Sequence, residues 1–143
     1  MKLFIDRDLG GKQLGGALRA VHVQVVCHRE RYPNADAETV PDTQWIREAA
    51  ELGEIILTRD GGIHRVPAEI EALATAGARG FVLETRNATP FVNLRALMLA
   101  WPAMEQRVAD EPGAFLYGIN REGRLMRRYP KTGANQSETG AAS

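Results

Sequence analysis

Apolar residues in this chain arrive in short, nearly unbroken runs. Lys2 to Asp6, Val21 to Cys27, Glu54 to Thr58 (EIILT) and Gly80 to Glu84 (GFVLE) have this character, which suits strands buried on both faces of a sheet. Helical patterns separate them. Lys12 to Ala20 puts Leu14 and Leu18 on one face. A second helix, capped by Asp42 or Thr43, runs to about Leu52 on Trp45, Ile46 and Ala49, and Gly53 closes it. A third, Ala68 to Ala76, starts behind Pro67 and stops at Gly77. Strand and helix in alternation predict a mainly parallel sheet.

The longest periodic stretch runs from Pro90 to about Ala109, with Leu94, Leu97, Met98, Trp101, Met104 and Val108 at three- and four-residue spacing. Pro102 inside it is expected to kink or split the helix. Ala114 to Ile119 and Arg124 to Tyr129 flank the turn Asn120–Arg121–Glu122–Gly123, which predicts a β-hairpin. His28 to Pro41 is polar with two prolines and reads as a long loop; ordered loops of that length are often functional. The expected organisation is one domain over residues 1–130 and a disordered tail over 131–143, a Gly, Ala, Ser and Thr-rich stretch.

Composition narrows the class. At 143 residues, with 44% hydrophobic and 25% charged positions, the chain is expected to be globular, neither disordered nor membrane-spanning. No leader pattern or long apolar run stands against a cytoplasmic location. A formal net charge of zero means that nucleic acid would have to be drawn by a local basic patch. Cys27 is the one cysteine, which excludes an intrachain disulfide and a cysteine-based zinc site.

The acids are placed suggestively. Asp6 ends the first strand, Asp60 ends the third, and Asp42 opens a helix. In a parallel sheet, strand C-termini and helix N-termini share one edge, so these acids can converge there. Clustered carboxylates are costly to desolvate unless a cation neutralises them, and oxygen donors alone favour Mg²⁺ or Mn²⁺ over zinc. Such ions polarise a phosphodiester and acidify water. Plainer roles also fit: Asp42 as a helix cap, and Asp60 as a turn residue before Gly61–Gly62. Asp6 and Asp8 together form D-x-D, which haloacid-dehalogenase-type phosphatases also carry after an apolar strand. Here Leu9–Gly10 follows, where that family usually has Gly–Thr or Gly–Val.

In combination, FIDRDLG, PDTQWIREAAELGEIILTRD and IHRVPAEIEAL resemble the PIN-like domains grouped with the VapC45-type toxins of toxin–antitoxin systems. The resemblance extends over Met1 to Tyr129. It implies a PIN-like three-layer α/β/α sandwich, with a mainly parallel central sheet and a C-terminal β-hairpin. It also implies a Mg²⁺- or Mn²⁺-dependent ribonuclease held in check by an antitoxin. Asp6, Asp42 and Asp60 match the metal-binding, catalytic acids, with Asp8 as a supporting or fourth acid. Asp36 and Glu38 in the long loop are further acids, either of which can replace Asp42. Arg7, Arg59, His64 and Arg65 are candidate contacts for RNA phosphates, with ion pairing to the acids as the alternative for Arg7 and Arg59. The hairpin arginines Arg121, Arg124, Arg127 and Arg128 read as a solvated face or an RNA path. The Trp101/Met104 face fits a homodimer or burial within the chain. The rival functions are a non-catalytic PIN-like module that binds protein or RNA, and a phosphatase using Asp6.

Overall fold

The structure, a computed structural model, describes residues 1–9, 12–34 and 39–131. Asp36, Glu38 and residues 132–143, to which the loop-acid and tail expectations apply, lie outside them. A six-stranded sheet runs in the order β2 (Val25–Cys27), β1 (Leu3–Ile5), β3 (Ile55–Thr58), β4 (Arg79–Leu83), β5 (Phe115–Ile119), β6 (Leu125–Tyr129). The first five strands are parallel, and β6 returns antiparallel to β5 as the expected hairpin.

Alternation along the strands builds two cores. Leu3, Ile5, Leu57, Phe81 and Tyr117 face α1 (Gln13–Ala20) and α5 (Pro90–Asp110), the helices that supply Leu14, Leu18, Leu97 and Met104. Phe4, Ile56, Val82 and Leu116 face α3 (Asp42–Glu51) and α4 (Pro67–Ala76), which add Trp45, Ile46, Ala49 and Leu73. The result is the α/β/α sandwich. The steps from β3 to β4 through α4 and from β4 to β5 through α5 move the same way across the sheet but on opposite faces. They therefore have opposite hands. The β1–α1–β2 and β2–α3–β3 crossovers share the hand of α4, so α5 is the exception to the right-handed rule.

Four local expectations need correction. The second strand begins at Val25, not Val21: the N–H groups of Val21 and Val23 bond back to the Leu18 carbonyl, closing α1 with a turn at His22 (φ 67°). Within the long polar loop, His28–Arg31 forms a single helical turn, α2. Pro41 takes the cap position of α3, so Asp42 becomes its first helical residue and its carboxylate is free to do something else. Pro102 does not split α5, which runs unbroken for 21 residues. Pro102 and Met98, the residue whose carbonyl it leaves without a helical donor, are both exposed, so water can serve that carbonyl. Asn93, Ala96, Leu97, Ala100 and Met104 keep the buried side of the helix continuous.

The Trp101/Met104 face is used inside the chain: Met104 is fully buried and Trp101 packs against the same core. No helix among the described residues is long and apolar enough to cross a membrane.

Candidate active site

Strand order decides which acids meet. From β1 the chain steps outward to β2, then returns past β1 to β3, so the sheet changes direction between β1 and β3, where open α/β sheets form crevices at their C-terminal edge. Asp6 leaves β1 at that point and is 5% exposed. Its backbone N–H extends the ladder to the Leu57 carbonyl at 3.0 Å. The carboxylate is held on both oxygens: Arg7 N–H donates to Oδ1 at 2.7 Å, and the Thr58 hydroxyl donates to Oδ2 at 2.8 Å. The same Thr58 oxygen accepts the Asp60 N–H at 2.9 Å. One fully buried hydroxyl thus ties together the ends of β1 and β3.

Asp60 caps a 3-10 turn, Gly61–His64, by accepting the Gly62 N–H on Oδ1 at 2.8 Å. The two helices on that face bring their first turns to the same edge. Asp42 begins α3, and its Oδ1 accepts the indole N–H of Trp45 at 2.8 Å. Pro67 fixes the start of α4 and places Glu69 in its first turn. Carboxylate oxygens of Asp42, Asp60 and Glu69 lie within 4.8 Å of one another. Asp6 lies outside that group of three but feels the charges of Asp8 and Asp42.

The cost of this crowding shows in the acids themselves. Desolvation, with Asp42 and Asp60 adding to it, pushes Glu69 up to about 7. Burial and the charge of Asp8 push Asp6 up to about 6. Asp8, whose Oδ1 accepts the Arg59 N–H at 3.4 Å, is also raised, first by desolvation and then by Asp60 against the opposing pull of Arg59 and Arg7. Glu69 Oε1 is buried and has no hydrogen-bond partner among the described residues. Three carboxylates in reach of one ion, one with an orphaned buried oxygen and no sulfur or imidazole among them, fit Mg²⁺ or Mn²⁺.

A pH dependence follows. Native pKa values above the unfolded ones mean that the native state holds more protons between about pH 4 and pH 7. Stability of the metal-free protein should therefore fall as pH rises through that window. Mn²⁺ should restore it most strongly at the high end, because binding displaces those protons. Melting curves in EDTA and in Mn²⁺ from pH 4.5 to 7.5 (about the span of these groups) check this. A metal-free melting temperature that climbs with pH would contradict it.

The basic candidates are spread out. Arg7 and Arg59 are exposed beside the acids and both pull Asp8 down. The Arg65 guanidinium packs over Gly61, where a side chain would meet it at 2.8 Å. His64 is half-buried, lowered by desolvation and by Arg65, and lies in the field of Glu84 and Arg128. The hairpin arginines are not a uniform solvated face. Arg128 makes a two-point ion pair with Glu84 (2.7 and 2.8 Å), Arg127 pairs with Glu111, and Arg121 donates to the Arg86 carbonyl.

Glu69, within RVPAE, and Thr58 join the site beyond the residues that the sequence pattern singles out. The signal for Glu69 was its place in a Pro-started first turn, at the edge where the aspartates gather. For Thr58 there was none.

Comparison with known proteins identifies the family. The family profile described as "PIN like domain" matches residues 1–85, which span β1 to β4 and every acid of the site. The chain belongs to the PIN-like domain family. A curated Mycobacterium tuberculosis protein (strain ATCC 25618 / H37Rv), named "Putative ribonuclease VapC45", is 31% identical over 118 residues, covering 82% of this chain and 85% of that protein. No solved structure matches the chain. As a PIN-like domain the chain has its acid edge assembled from β1, β3 and the starts of α3 and α4, all inside the matched segment.

Proposed function

We propose that this protein is a Mg²⁺- or Mn²⁺-dependent endoribonuclease, acting in the cytoplasm as the toxin of a toxin–antitoxin pair. The observation that carries the reading is the Asp42–Asp60–Glu69 group beside the buried Asp6, in a PIN-like domain with a VapC45 relative. Asp42, Asp60 and Glu69 would hold the cation, with Asp6 adjoining and Asp8 behind it. When bound, the cation supplies Lewis acidity to the phosphodiester and to the water that attacks it.

The protein's own part is to fix the donors and to balance charge. Thr58 and the Arg7 N–H orient Asp6, Trp45 orients Asp42, and the Gly62 N–H orients Asp60. Each hydrogen bond takes one carboxylate oxygen and leaves its orientation defined, which is what ligand-supporting contacts do in metal sites. Arg7, Arg59, His64 and Arg65 offset phosphate charge at the same edge. Leu9–Gly10 after the D-x-D pair, where the phosphatase family usually has Gly–Thr or Gly–Val, disfavours that alternative.

The test is incubation of the purified protein with single-stranded RNA in Mn²⁺ and in EDTA, alongside calorimetry with Mn²⁺. Internal cleavage in Mn²⁺ alone, relieved when the protein encoded next to it is co-expressed, is the expected result. Intact RNA and no Mn²⁺ binding would leave a non-catalytic binding module, and a trapped aspartyl-phosphate would turn the assignment to a phosphatase.

A further inference from the structure

On the α1 side of Asp6 the same edge opens into a cleft of about 650 Å³, bounded by the ends of β1 and β2, by α1 and by α2. That lies within the range of about 300–1,000 Å³ typical of small-molecule sites. Ile5 and Cys27, both buried, lie behind its wall, and Asp6 connects it to the acid group. Four cationic side chains line it against two carboxylates. One of them, Arg19, is held by Glu30 and by the Val25 carbonyl at 2.7 Å. Arg7, Lys12, Arg19 and Arg29 are all exposed.

Of these helices, α1 carries adjacent glycines, each costing about 1 kcal/mol relative to alanine in a helix interior. Gly15 has a packing reason: a Cβ there would sit 2.8 Å from the Cys27 sulfur. Gly16 has none, because a Cβ on it would meet nothing within 4 Å. What Gly16 does is leave the cleft open.

We propose that this cleft is the subsite for the nucleotide next to the scissile phosphate in single-stranded RNA. The base lies in the cleft, and the flanking phosphates face Arg7, Lys12 and Arg29. The proposal rests on the ribonuclease reading for its substrate. Its physical basis is separate: a lining with more cations than carboxylates, room for an unstacked base, and direct continuity with Asp6. A duplex keeps its bases stacked and offers nothing to insert.

Gly16→Trp puts bulk into the cleft from a position where an added Cβ meets nothing within 4 Å, and the pair Lys12→Glu/Arg29→Glu reverses two of its cations. Gly113→Trp, at another glycine with open space around it, is the control for added bulk. Binding of a fluorescent single-stranded oligoribonucleotide is read by anisotropy in Ca²⁺, alongside KM and kcat in Mn²⁺, Mn²⁺ calorimetry and melting temperature. Both cleft variants should weaken RNA binding and raise KM by about tenfold or more, on the scale of one lost base stack. The Mn²⁺ affinity and melting temperature should hold, and Gly113→Trp should match wild type. Unchanged RNA binding in a folded Gly16→Trp protein overturns the subsite, while wild-type cleavage would leave the ribonuclease reading standing. If Gly16→Trp fails to fold, the charge-reversal pair decides by the same readings. RNA binding that is lost in the variants, in a wild-type protein that never cleaves, keeps the subsite and removes the nuclease. A wild type that neither binds nor cleaves overturns both. Loss of antitoxin binding with RNA binding intact assigns the cleft to a protein segment and overturns the proposal.

Discussion

Asp60→Asn and Glu69→Gln should each lower Mn²⁺-dependent RNA cleavage by about 100-fold or more, without lowering the stability of the metal-free protein. The two expectations come from one cause. Three carboxylates within 4.8 Å of one another repel in the absence of a cation. Neutralising one relieves the others, and the same change removes a charged donor from the site. Loss of a residue that merely supports a ligand commonly costs about 10- to 100-fold in metal affinity or activity, so loss of a ligand should reach the upper end of that range. The substitutions are also gentle. An asparagine oxygen at position 60 can still accept the Gly62 N–H and keep the 3-10 turn capped. Glu69→Gln keeps the length of the side chain, while removing the carboxyl that burial and its neighbours push up to about 7. Steady-state cleavage, Mn²⁺ calorimetry and melting in EDTA read all three consequences. Wild-type cleavage by both variants would show that the metal, if used, is held elsewhere.

Trp45→Ala should be the most damaging single change to stability, at about 3–5 kcal/mol. Trp45 is 1% exposed, stacks on Phe4 with ring centroids 5.5 Å apart, and anchors α3 to its face of the sheet. It also has a polar duty, since its indole N–H aims Asp42 at the acid group. Trp45→Phe separates the two roles: the ring packing largely survives and the hydrogen bond does not. Denaturant unfolding should show a modest loss for Phe and a severe one for Ala. Mn²⁺ affinity in the Phe variant should fall by about tenfold, as for other contacts that orient a ligand. An unchanged Mn²⁺ affinity in Trp45→Phe would mean that Asp42 does not depend on the indole for its place.

Much of this architecture was legible because buried parallel strands are written as continuous apolar runs. Leu3–Phe4–Ile5 and Ile55–Ile56–Leu57 are such runs, short and bounded by charged or polar residues. Val21 to Cys27 misled for a related reason. Its β-branched residues suit a strand, yet Val21 and Val23 are engaged in closing α1, and only the backbone pattern shows where pairing starts. His28–Arg31 is too short and too polar to announce a helix, and it is set by what packs around it. Asp6, Asp42 and Asp60 could be picked out because each stands where an element begins or ends. Their meeting depends on β1 lying beside β3, a fact of topology that no local pattern contains. Glu69 was hidden by its ordinariness, since an acid in the first turn of a helix is common for dipole reasons alone. Thr58 was hidden because its importance lies in two hydrogen bonds, one to Asp6 at the end of β1 and one to Asp60 just beyond its own strand.

The unusual hand of the α5 crossover has its own consequence. Had α5 followed α4 onto the same face, it would lie across the ends of β4 and β5. That ground is instead covered by side chains, with the Glu84 carboxylate over Gly118 and Arg128 clamped to it. Moved to the other face, α5 packs beside α1 instead, and the acid edge is left to β1, β3 and the starts of α3 and α4.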